Sequence, residues 1–148
     1  MPGDFEAFQS SFSGAYDAPF ADRGRKQPLG ATEIVSSSSG NVANAPAIAG
    51  VALGLGAGPA LGWIRKFRVT GAGATAAGVI TITVTNLKYG TLYFNLAIPA
   101  GVLVPVDFEH EFPNALPAAD VALVITVTVP AFGAGNTNAC VVAEGYFL

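Results

Sequence analysis

The densest run of reactive side chains in the sequence is Asp107-Phe108-Glu109-His110-Glu111-Phe112. In an extended segment successive side chains point to opposite faces. Asp107, Glu109 and Glu111 therefore share one face, and Phe108, His110 and Phe112 share the other. Three aligned carboxylates repel one another, and the repulsion can be offset by water and salt, by a calcium ion taking oxygen ligands, or by basic residues on an adjacent strand or subunit. Lys66 and Arg68 share a face of their own segment and are among the few cations of the chain. The expected account is an ionic contact of Lys66 and Arg68 with Asp107, Glu109 and Glu111, between strands or between subunits. These five residues are the expected oligomer interface. His110, set between two phenylalanines, reads as a buried or interface histidine rather than a base.

Other chemistry finds little material. The chain has one His and one Cys, Cys140, so Cys-based zinc patterns and a zinc hydrolase are not expected. A nucleophile would need Ser or Cys beside the single imidazole and an orienting acid. Yet Ser10, Ser11, Ser13 and Ser36 to Ser39 all precede residue 40, and Cys140 falls in a Val-rich run. Glu109 and Glu111 aim the same way and do not flank a substrate as paired carboxylates must. Gly71-Ala72-Gly73-Ala74-Thr75-Ala76 imitates a dinucleotide fingerprint, but Gly78 leads into an alternating strand instead of the helix whose N-terminus would receive a pyrophosphate. Gly54-Leu55-Gly56-Ala57-Gly58-Pro59 lacks the following Lys of a phosphate loop. No catalytic, cofactor or metal site is expected, and no enzyme. A net charge of -3 supplies no basic field for nucleic acid.

The elements that must position these residues form one domain, since 148 residues leave room for a single core. Hydrophobic residues make up 51% and charged residues 11%, against a usual charged share of roughly 25%. Much of the outside should therefore meet protein. A lone cysteine excludes an internal disulfide framework, so stability must come from the core or from assembly. Asp4 and Glu6 stand where a secretory signal would carry basic residues, and no signal peptide is expected. No charge occurs between Glu33 and Arg65, but glycines, alanines, Pro46 and Pro59 interrupt that interval, and no membrane span is expected.

Charge is concentrated toward the N-terminus, and only nine charged residues lie beyond residue 33. The first part carries Phe5, Phe8, Phe12, Tyr16 and Phe20 among Ser, Gly and Pro, followed by Arg23 and Arg25. Too poor in aliphatic residues to fold alone, it reads either as a short amphipathic helix packed on its own domain or, preferably, as an arm that inserts aromatic anchors into a neighbouring protein. Ser36 to Ser39 with Gly40-Asn41 reads as a flexible connection. Residues 1–40 are thus an arm and linker, and 41–148 a β-sandwich domain.

In that domain Val79 to Thr85 alternates, with Ile80, Ile82 and Val84 on one face and threonines on the other. Val121 to Val129 repeats the device, with Val121, Leu123, Ile125, Val127 and Val129 on one face. Further strands are expected at Gly62 to Thr70, Thr91 to Ile98, Val102 to Phe112 and Ala139 to Leu148, with a weaker one at Ala47 to Leu55. No helix is expected after residue 40. Seven or eight short strands punctuated by Gly, Pro and Asn fit an antiparallel sandwich of immunoglobulin-like or jelly-roll type.

Trp63-Ile64-Arg65-Lys66-Phe67-Arg68-Val69, the Thr-alternating strands, Tyr93-Phe94-Asn95-Leu96-Ala97-Ile98-Pro99-Ala100-Gly101 and the aromatic terminus Val141 to Leu148 resemble the bodies of tailed-bacteriophage capsid decoration, or cement, proteins. The resemblance covers residues from about 44 to 148. It implies a jelly-roll body with an extended N-terminal arm and a homotrimer on the capsid exterior, made in the host cytoplasm, that stabilises the head by clamping the major capsid protein. The arm residues Phe5, Phe8, Phe12, Tyr16, Phe20, Arg23 and Arg25 would contact that shell. A head-fibre or tail-fibre tip domain that binds a host surface, and a minor jelly-roll capsid subunit, are the alternative readings.

Overall fold

A computed structural model describes residues 28–38, 47–51 and 60–148. The expected arm contacts Phe5, Phe8, Phe12, Tyr16, Phe20, Arg23 and Arg25 lie outside the described residues. The chain divides into two units, Met1–Ala31 and Thr32–Leu148. Of the first, residues 28–31 are described; they form a turn in which the Ala31 N–H donates to the Pro28 carbonyl at 3.2 Å.

The second unit is all-β, without a helix among its described residues. Its strands are β1 (Thr32–Ser37), β2 (Ala47–Val51), β3 (Gly62–Ala72), β4 (Gly78–Thr85), β5 (Leu92–Ile98), β6 (Pro105–Pro117), β7 (Ile125–Val129) and β8 (Cys140–Phe147). They form two antiparallel four-stranded sheets of order β1-β8-β3-β6 and β2-β7-β4-β5. The pairs β1·β8, β2·β7, β3·β6 and β4·β5 are nested, as in one long hairpin whose two arms have been rolled together.

Alternation builds the core. Ile64, Phe67, Val69 and Val141 from the first sheet and Ile82, Val84, Ile125 and Val127 from the second are fully buried in one cluster. The ring of Phe67 meets that of Phe94 on β5 edge-on at 5.2 Å, joining the two sheets. Burying side chains of this size stabilises the fold by roughly 1.5–3 kcal/mol each.

Three expectations are corrected. Ser36 and Ser37, read as a flexible connection, belong to β1, opposite Ala143 and Val142 of β8. Ladder hydrogen bonds use the backbone and do not require apolar side chains. The next residue extends the contact, because Ser38 donates its N–H to the Val141 carbonyl at 2.9 Å and its Oγ accepts from the Val141 N–H at 3.0 Å.

The strand expected from Val121 begins at Ile125, and Val121 and Leu123 are exposed rather than inward. Its neighbours end first: Val51 of β2 pairs with Ile125, and Thr85 of β4 with Thr126. The residues before Ile125 instead form a turn, in which Leu123 donates to the Asp120 carbonyl at 3.1 Å, and Ala119 is tied to the end of β4 by donating to the Asn86 carbonyl at 2.8 Å.

The strand expected over Val102 to Phe112 is displaced to Pro105–Pro117. Gly101, at φ 117°, turns the chain so that Val104 N–H reaches its carbonyl at 3.0 Å. At the other end β6 continues through Pro113. Proline lacks the N–H that a ladder uses, but β6 lies at a sheet edge, where one side has no strand to bond.

Candidate functional site

The charged side chains borne by the strands are gathered on one surface, with Lys88 and Asp120 in connections outside it. The outer face of β1-β8-β3-β6 carries Glu33, Arg65, Lys66, Arg68, Asp107, Glu109, Glu111 and Glu144, three cations among five carboxylates. The outward residues of β4, β5 and β7 include Val79, Thr81, Thr83, Tyr93, Asn95, Thr126 and Thr128, and no ionisable acid or base other than the Tyr93 phenol. Sequence alternation had identified the acidic row of β6 but not its separation from an almost charge-free opposite sheet. That separation depends on which strands become neighbours.

A register break places the central cation. Between Ile64 and Lys66, two steps along β3 are answered by one on β8, from Gly145 to Glu144, so Arg65 is an extra residue in that ladder. A β-bulge of this kind re-aims a side chain. Arg65 is buried, and its guanidinium donates to Glu144 Oε2 at 3.0 Å and to Glu33 Oε1 at 3.2 Å, linking three strands. Neither Glu33 nor Arg65 nor Glu144 was singled out at the sequence level, because their spacing along the chain carries no common period.

The bulge also explains a glycine. A Cβ on Gly145 would lie 2.0 Å from the Trp63 carbonyl oxygen, so the two backbones can approach only without a side chain there. Gly73 of the fingerprint-like run has the same role at the end of β3. There a Cβ would lie 2.4 Å from the Pro99 carbonyl oxygen.

The five residues expected to interact do so in part within the chain. On β6 Lys66 stands opposite Glu111 and Arg68 opposite Glu109, but the described ion pairs to β6 run diagonally, whereas on β8 Lys66 directly faces Glu144. Arg68 holds Asp107 in a two-pronged contact, Nε to Oδ1 at 2.9 Å and Nη2 to Oδ2 at 2.5 Å. Lys66 Nζ lies 3.5 Å from Glu144 and 4.0 Å from Glu109. The inter-strand form of the expectation is therefore observed, and these cations offset β6 charge without a second copy. The hydrogen bond from Arg68, with its positive charge, holds the Asp107 carboxyl below its ordinary range, and Asp107 in turn raises Arg68.

His110 points to the interior side of β6, half-buried, with ring centroids of Phe94 at 4.6 Å, Phe112 at 4.7 Å and Phe67 at 5.9 Å. It stands apart from the outward carboxylates of its own strand. Cys140 Sγ accepts a hydrogen bond from Ser38 Oγ at 3.4 Å. Among the described residues no three Asp, Glu, His or Cys side chains converge as a metal site, and no helix is long and apolar enough to cross a membrane.

One end of the sandwich forms a second, uncharged feature. The β3–β4, β5–β6 and β7–β8 connections are tied by backbone hydrogen bonds: Gly73 to Val104 at 2.8 Å, Gly101 to Ala74 at 2.7 Å and Thr75 to Ala134 at 2.9 Å. From this braced frame Leu103 projects 90% exposed, between the exposed Val102 and Val104. Both features present exposed side chains, Arg68, Asp107 and Glu109 on the first and Val102, Leu103 and Val104 on the second. Comparison of the chain with known protein families, with characterised proteins and with solved structures finds no match.

Proposed function

We propose that this chain is a non-catalytic structural subunit of a tailed-bacteriophage virion. In this reading it is a capsid decoration protein with a jelly-roll body, bound as an oligomer to the major capsid protein on the outside of the head. The observation that carries the reading is the nested strand order, β1-β8-β3-β6 over β2-β7-β4-β5, with the ionic side chains of the strands confined to one sheet. Rolling a long hairpin gives the two Greek keys of a jelly roll. Segregated charge gives such a body two unlike faces, one for polar contacts and one that can be covered without desolvating ions.

The N-terminal arm supplies the shell contact in this reading. The test is a truncation lacking residues 1–27, which spares Glu33 and all of β1. The full chain should co-sediment with shells of its capsid protein, whereas the truncated chain should keep its fold and oligomeric state but remain in solution. Equal co-sedimentation of both, or of neither, overturns the reading. Host-cell binding retained by the truncated chain would favour a fibre tip.

A further inference from the structure

We infer that the chain self-associates through β5, which pairs antiparallel with β5 of a second copy about a two-fold axis at Asn95. Four strands end the two sheets: β1, β6, β2 and β5. A sheet edge presents a row of unused N–H and C=O groups, which is a template for another strand unless something blunts it. β6 is blunted by Pro105, Pro113 and Pro117 and by three carboxylates, β1 carries Glu33, and β2 is short and contains Gly50. β5, Leu92-Tyr93-Phe94-Asn95-Leu96-Ala97-Ile98, has no proline, no glycine and no charge. Its described ladder is to β4 alone.

Among the described residues, four of the seven partly buried apolar side chains packed on the core, Leu92, Phe94, Leu96 and Phe108, lie on this side. Leu92, Phe94 and Leu96 point inward and pack on the core, yet each is only partly buried. Phe108 and His110 of β6, the edge strand of the facing sheet, are likewise half-buried. Inward residues of the interior strands, such as Phe67, Ile82 and Val141, are fully buried. A strand laid along β5 would cover these apolar rims and satisfy its backbone in one step.

The sequence of β5 selects its own copy as that strand. With Asn95 on the axis, Leu92 faces Ile98 and Phe94 faces Leu96 on the inner side, while Tyr93 faces Ala97 on the outer side. Every apolar inward position thus meets another, and a one-residue slip would set inward against outward side chains. The flanking outer face, with Thr81, Thr83 and Asn95, carries no like charges to repel across the axis. An isologous contact closes on itself and does not propagate.

This inference rests on the self-association in the proposed function and not on the shell partner. It makes the assembly even-numbered, unlike the trimer implied by the resemblance. The test uses the full chain and measures mass in solution by light scattering. The wild-type chain should weigh two copies or a multiple of two. Asn95→Lys and Asn95→Asp each place like charges opposite one another and should weaken the dimer by about tenfold or more, with unchanged circular dichroism. Mixing the two should restore it.

In a Cys140→Ser background, Asn95→Cys should cross-link on oxidation, because directly opposed Cα atoms in an antiparallel pair lie within disulfide range. A three-copy mass, or an even-numbered wild type indifferent to all Asn95 changes, overturns the inference and leaves the shell role standing. A monomeric wild type at sub-millimolar concentration overturns the inference together with the oligomeric part of the proposed function, and shell binding then tests the rest.

Discussion

Removing Glu144 should weaken the fold far more than removing Glu33, although both carboxylates contact the same guanidinium. The Arg65 side chain is 10% exposed, Glu144 is 25% exposed at 3.0 Å, and Glu33 is 53% exposed at 3.2 Å. Breaking a fully buried ion pair costs about 3–5 kcal/mol, because the remaining charge is stranded in a poor solvent, whereas an exposed pair contributes about 0–1 kcal/mol. Glu144 lies between these limits, and Glu33 still contacts Arg65 after its loss. Glu144→Ala should therefore cost about 2 kcal/mol. Glu33→Ala should cost about 0.5 kcal/mol, since water already solvates half of that side chain.

For a β unit of this size, about 2 kcal/mol corresponds to a fall in Tm of roughly 6–12 °C. Urea denaturation followed by tryptophan fluorescence provides the measurement, because the single Trp63 flanks the bulge. Protein concentration must be held fixed, since association would add to apparent stability. Equal losses for Glu144→Ala and Glu33→Ala, or less than about 0.5 kcal/mol for Glu144→Ala, would refute the assignment of Arg65 as a buried charge held mainly by β8.

Two further outcomes test the core and the edge of the charged face. Phe67→Ala removes a fully buried ring at the junction of the sheets and should cost about 3–5 kcal/mol in the same assay, with a loss below about 1.5 kcal/mol excluding it as the centre of packing. Asp107 has a folded pKa below its unfolded one, so its contribution is present above the unfolded value and is lost as pH falls through the depressed folded value. The stability difference between wild type and Asp107→Asn should shrink on acidification across that window, and a difference independent of pH would contradict the Arg68 contact. The raised Arg68 pKa adds no change there, because that contribution is lost only as pH rises through the folded arginine value.

Local alternation determined most of the strands and their faces. Ile80, Ile82 and Val84 point inward as their spacing requires, and the carboxylates of Asp107, Glu109 and Glu111 share the outer face of β6. This was legible because a side chain's face depends on parity along one strand, a property of adjacent residues. Alternation failed where pairing partners end: Val121 and Leu123 have the right pattern but no described strand beside them, while Thr32–Ser37 has a poor pattern and a complete ladder to β8. Only tertiary structure decided the nested strand order, the bulge that carries Arg65 to Glu33 and Glu144, and the exposed edge at β5. Each of these is set by contact between residues far apart in the chain, and hydrophobic periodicity, which is indifferent to the identity of the neighbouring strand, holds no record of it.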